Sequence, residues 1–80
     1  MKTLRTQPHL QLVSELKKVR KQAGFTQADL AAELGVHQSW VAKTENGERR
    51  LDVVEFVSWL QACRHLEEAQ NIADAIAEIR

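Results

Sequence analysis

Gln38, Ser39, Trp40 and Lys43 are the side chains of this sequence whose types and spacing fit a definite chemistry. On a short helix they lie away from the interior side marked by Val41, and each matches a group on the edge of a base pair. Glutamine pairs in bidentate fashion with adenine N6 and N7, lysine reaches guanine acceptors or phosphate, serine serves either, and an aromatic edge contacts a thymine methyl. Solubility alone would not select such a face. The other reactive residues form no constellation. His9, His37 and His65 are far apart, lack the i, i+4 spacing of a helical metal pair, and have a single cysteine to join them, so no metal or other cofactor is expected. Cys63 falls on an apolar stripe without a basic cluster to lower its pKa, which makes it a small buried hydrophobe and not a nucleophile. Ser14, Ser39 and Ser58 lack the strand-to-helix turn that activates a serine. No residue is assigned a catalytic role, and no enzyme is expected.

Eighty residues with 44% hydrophobic and 28% charged side chains, three glycines and one proline suit one folded domain rich in helix. The apolar runs are too short for a bilayer crossing, and Met1 to Gln11 has no sustained apolar stretch of the kind an export signal needs. One cysteine excludes an internal disulfide and points to the reducing cytoplasm. The formal net charge is zero, yet residues 1–50 carry nine basic side chains against five acidic ones, and residues 51–80 carry two against six. A phosphate backbone within a Debye length of about 8 Å responds to the basic half.

Apolar periodicity sets the elements. Leu12, Leu16, Val19 and Ala23 recur at helical spacing from Leu10 onward, with Pro8 just ahead and Gly24 as terminator. Thr26 and Asp29 form a capping pair for a second helix, in which Leu30, Ala31 and Leu34 face inward until Gly35 stops it. A third short helix runs from Gln38 to Thr44 and ends at the Asn46-Gly47 turn. Asp52 caps a fourth, with Val53, Phe56, Val57, Leu60 and Cys63 as its inward stripe. Leu66 to Ile79 makes a fifth, carrying Ala69, Ile72, Ala73, Ile76 and Ile79 on one side. The expectation is an all-α, five-helix fold: an N-terminal arm over residues 1–9, a DNA-binding domain over 10–63 and a C-terminal helix over 64–80. Residues 26–47, two short helices joined through Gly35, have the geometry of a helix-turn-helix.

The stretch from Leu16-Lys-Lys-Val-Arg20 through Gly24-Phe-Thr-Gln-Ala-Asp-Leu-Ala-Ala-Glu-Leu-Gly35 to Val-His-Gln-Ser-Trp-Val-Ala-Lys-Thr-Glu-Asn-Gly47 resembles the phage-repressor-like helix-turn-helix regulators, the Cro/CI-type or XRE-like group. The resemblance covers residues 10–63, and the spacing of Gln27, Ala31, Gly35, Val41 and Glu45-Asn46-Gly47 carries it. It implies a lambda-repressor-like fold and binding to double-stranded DNA. It also implies that Gln27 bonds a phosphate while bracing the start of the recognition helix. Gln38, Ser39 and Lys43 would reach base edges, Asn46 would contact the backbone, and Arg20 with Glu45 would form a partly buried structural ion pair.

This chain departs from the group's pattern at several positions. His37 replaces the usual Ser or Thr cap of the recognition helix. Glu48 stands where a basic residue is common, with Arg49 and Arg50 beside it as substitutes. Trp40 has two readings, a contact to a thymine methyl or sugar and a ring lying back on the second helix. Lys2 and Arg5 either fray or follow the DNA backbone.

One recognition helix makes too few base contacts to single out a genomic site, so a homodimer on an inverted repeat is expected, with repression as its outcome. The fifth helix with Trp59 is the candidate dimer surface, unless that helix folds back on its own domain. The alternative is an interaction adaptor or antitoxin that uses the domain as a scaffold and holds a protein partner through the C-terminal helix.

Overall fold

Thr6 starts the first helix: its backbone is extended and its Oγ1 accepts a hydrogen bond from the His9 N–H at 3.4 Å. The computed structural model describes residues 6–79 and folds them into α1 (Gln7–Gln22), α2 (Gln27–Leu34), α3 (Gln38–Glu45), α4 (Val53–Ala62) and α5 (Glu68–Ala77). No strand occurs among the described residues. Helix α1 begins three residues ahead of Leu10, inside the stretch read as an arm, because Pro8 sits in the first turn, where its missing N–H costs nothing. Lys2 and Arg5, the cations of that arm, lie outside the described residues.

Capping defines the short helices. At α2 the Asp29 N–H donates to Thr26 Oγ1 and the Thr26 N–H donates to the Asp29 carboxylate, both at 3.0 Å. The Thr26 backbone N–H, then the Thr26 side chain beside the carboxylate, holds the Asp29 carboxyl below its ordinary value of 3.8. Asp52 and Glu55 close the same reciprocal box at α4. Helix α2 ends on Gly35 at φ 71°, where the Gly35 and Val36 N–H groups donate to Ala32 and Ala31 carbonyls. A Cβ added at Gly35 would meet nothing within 4 Å, so the requirement there is torsional and not spatial. At the end of α4 the same pair of bonds, from the Arg64 and His65 N–H groups to Gln61 and Leu60 carbonyls, forces Arg64 to φ 59°.

The core joins Leu16 and Val19 of α1, Leu30 and Ala31 of α2, Val41 of α3, and Trp59 and Leu60 of α4 with Cys63 and Ile72. Helix α3 packs on α2 and α1, while α4 supports α2 from the other side. Three expectations change here. Val53, expected on the inward stripe of α4, is 76% exposed: it is the first residue of the helix, and the stripe is buried only further along, at Leu60 and Cys63. The Trp59 indole is fully buried and its Nε1–H donates to the Leu16 carbonyl at 3.1 Å, which removes the cost of burying that donor. Trp59 is therefore no part of a dimer surface. Helix α5 starts at Glu68, later than Leu66, and buries Ile72 against its own domain, chiefly on α1 and also on α4.

Cys63 is 2% exposed, and burial pushes its thiol up to about 11. Two outcomes are expected. Arg64→Gly should raise stability by about 0.5–1 kcal/mol in a urea melt, the relief of a left-handed side chain less the entropy glycine loses on folding; a lower midpoint would contradict this account of the helix end. The stabilisation that Asp29 draws from its cap should be present above about pH 4 and be lost as pH falls through its lowered folded value, so Asp29→Asn should flatten the acid limb of the stability profile.

Candidate nucleic-acid interface

Arg20 leaves α1 on its buried side and meets Glu45 at the end of α3. Its Nε–H donates to Glu45 Oε2 at 2.6 Å and its Nη2–H to Glu45 Oε1 at 3.1 Å, a two-point pair whose side chains are 8% and 2% exposed. The remaining nitrogen, Nη1, donates to the Phe25 carbonyl at 2.7 Å, so the guanidinium also fixes the entry to α2. Gln27 Nε2 donates to Glu45 Oε1 at 3.0 Å. Gln27 thus braces the end of α3, not its start as the resemblance implied. Three helices meet on one carboxylate, and the tilt of α3 follows from them.

The opposite side of α3 faces solvent. Gln38, Ser39 and Lys43 are exposed, while Val41 and Thr44 are buried beneath them. Thr44 stays buried because its hydroxyl donates to the Trp40 carbonyl one turn back, at 2.8 Å. His37 occupies the N-cap position with extended backbone and makes no capping bond through its side chain, in keeping with its departure from Ser or Thr. Asn46 is exposed at the C-cap of α3, with its Nδ2 3.4 Å from Glu48 Oε2.

Trp40 is half-buried and its ring rests on α4: its centroid lies 6.2 Å from that of Trp59 with the planes at 37°. The Arg49 guanidinium carbon sits 4.5 Å from the Trp40 centroid, a cation–π distance, and Arg49 Nη2 lies 3.3 Å from Glu55 Oε2. Arg49 is thus already engaged, whereas Arg50 is exposed, as are Lys17 and Lys21 on α1; Lys18, also exposed, lies 3.6 Å from the Glu15 carboxylate. Sequence reasoning missed Glu55 and Trp59 as supports of the recognition helix. Neither spacing, Arg49 to Glu55 or Trp40 to Trp59, is a pattern of one helix, so no local signal announced them. Among the described residues no group of His, Cys, Asp and Glu is arranged to hold a metal ion.

Residues 11–70 match the model of a family described as a helix-turn-helix domain. Two curated relatives, both named Antitoxin HipB, come from Escherichia coli O6:H1 and Escherichia coli (strain K12). Each is 34% identical over 65 residues, 81% of this chain, which spans 66% of the first antitoxin and 70% of the second. A solved structure, an XRE-family like protein from Pseudomonas syringae pv. tomato, superposes with a TM-score of 0.77 at 38% identity, over 90% of this chain and 85% of that one.

The buried pair sets an energetic expectation. Arg20→Met strands Glu45 in the interior and should cost about 3–5 kcal/mol in a urea melt, whereas Arg20→Met combined with Glu45→Leu leaves no unpaired charge and should cost less than the single change. A loss below about 1 kcal/mol for Arg20→Met would show that the pair does not secure α3.

Proposed function

The chain belongs to the helix-turn-helix family, as a DNA-binding regulatory domain of XRE type, and from that premise we propose that it is a non-enzymatic transcriptional repressor that binds an inverted-repeat operator in double-stranded DNA as a homodimer. The observation that carries this reading is the exposed set Gln38, Ser39 and Lys43 on a helix whose other side is clamped by the Arg20–Glu45 pair. A recognition helix reads the major groove only when its tilt is set by the protein beneath it. In this geometry Gln38 pairs with adenine, Lys43 takes guanine or phosphate, Ser39 either, and His37 borders the same groove. Asn46 and Gln27 contact the backbone on either side, with Arg50 and the lysines of α1 supplying sequence-independent attraction.

Dimerisation follows from energy. Each base contact discriminates by about 1–3 kcal/mol, and a single eight-residue helix offers few of them. Apolar surface that a second copy would cover is present in Val53 and Val54, 76% and 73% exposed, and in Leu66 near the start of α5. The C-terminal helix remains a dimerisation element through its outer face alone. Among the described residues no helix is long and apolar enough to cross a membrane, and a cytoplasmic site of action fits that.

A second reading is favoured by the likeness to two antitoxins: an antitoxin that binds its own operator and also holds a protein partner, with the outer face of α5 as the contact. The acidic excess of residues 51–80 suits a partner with a basic surface.

Selection from a random duplex pool tests the proposal. Enrichment of a palindrome is expected, with half-sites about 34–36 Å apart on one face, and with affinity falling roughly a thousandfold or more between 50 and 200 mM salt. Gln38→Ala should relax preference at one base pair per half-site, and Asn46→Ala should weaken all sites alike. No enrichment, or a flat salt response, would overturn the regulator reading.

A further inference from the structure

Trp40 sits on the recognition helix, and its side chain is held more firmly than packing alone demands. Trp59 lies beneath it at 6.2 Å between centroids and is itself anchored by its hydrogen bond to the Leu16 carbonyl. Arg49 covers the ring at 4.5 Å and is tied to Glu55. Glu55 is fixed in turn, because its Oε1 accepts the Asp52 N–H at 3.0 Å in the capping box of α4. The chain of supports runs from the cap of one helix to the ring of another without a loose member.

Beside this ring an open groove of about 630 Å³ has a predominantly apolar wall, in which Val36 and Trp40 are the apolar residues. Ser39 and Lys43, both exposed, line the same groove, so it opens on the face assigned to DNA. Polar base edges find partners in Ser39 and Lys43, but against Val36 and the indole a donor or acceptor loses water without replacement. The major groove displays one apolar group, the C5 methyl of thymine.

We infer that the groove between Val36 and Trp40 receives a thymine methyl and that Arg49 and Glu55 are positioning residues that hold the indole against it. The inference rests on the DNA-binding reading and goes beyond it by naming the group read. Trp40 is then a specificity determinant in a chain whose other base contacts are polar. Arg49 acts through the ring and not by neutralising a phosphate.

Deoxyuridine deletes the methyl group and nothing else. Each thymine of the duplex recovered by selection is replaced in turn by deoxyuridine, and dissociation constants are measured at fixed salt. One position per half-site should lose about fourfold in affinity, the value of one buried methyl. Trp40→Ala should bind the thymine and uracil duplexes equally. Glu55→Gln keeps the cap, because Gln serves at that position of a capping box, but weakens the hold on Arg49; its thymine-to-uracil ratio should shrink toward one even if Trp40→Ala fails to fold. Lys43→Ala should lower affinity for both duplexes and leave the fourfold ratio in place. Uracil tolerated at every position, or an unchanged ratio in the folded Glu55→Gln protein, overturns the inference while the regulator stands, and a sugar contact by Trp40 gives the first of these results. Failure to recover any duplex removes the regulator reading and this inference with it.

Discussion

The Glu45 carboxylate is the point on which the molecule turns. An eight-residue helix has little stability of its own; apolar packing of α3 through Val41 holds it to the core, and bonds from its last turn to two other helices set its direction. Arg20 brings α1 to Glu45, Gln27 brings α2, and the third guanidinium nitrogen ties the α1–α2 connection to the same site. A buried ion pair adds little net stability compared with apolar packing, yet it accepts only one geometry. That selectivity suits a helix whose outward side chains must arrive at a partner in register.

The rest of the fold surrounds this constraint. Reciprocal caps start α2 and α4, so each short helix is satisfied at its first turn without help from a neighbour. Trp59 fills the centre and lends its ring to Trp40, so packing that stabilises the core also shapes the edge of the recognition surface. Helix α5 closes the core against α1 and leaves Gln38, Ser39 and Lys43 exposed.

Much of this was legible in the sequence, for local reasons. The caps at Thr26 and Asp52 and the stop at Gly35 depend on residues within four positions of one another, and such patterns survive in any packing. The outward set on α3 followed from its helical phase against Val41. Arg20 and Glu45 stand 25 positions apart and came with the family resemblance, not from any pattern of spacing. Four features needed coordinates. Trp59 joins Leu60 and Cys63 in the core, where its indole N–H finds an acceptor in a carbonyl on another helix, a partner that the spacing within α4 does not show. Gln27 turning to Glu45 and Arg49 lying between Trp40 and Glu55 are decided by the closeness of residues from separate elements. The early start of α1 reflects the tolerance of a first helical turn for proline, which periodicity of apolar residues does not register.

Titration of the isotopically labelled protein with the selected duplex, followed through backbone amide resonances, tests most directly whether the clamped helix is the reading surface. If it is, the largest shifts fall on Gln38 to Lys43 and on Gln27, with the exposed face of α5 unmoved. Shifts concentrated on α5, with the amides of α3 unchanged at saturation, would contradict it.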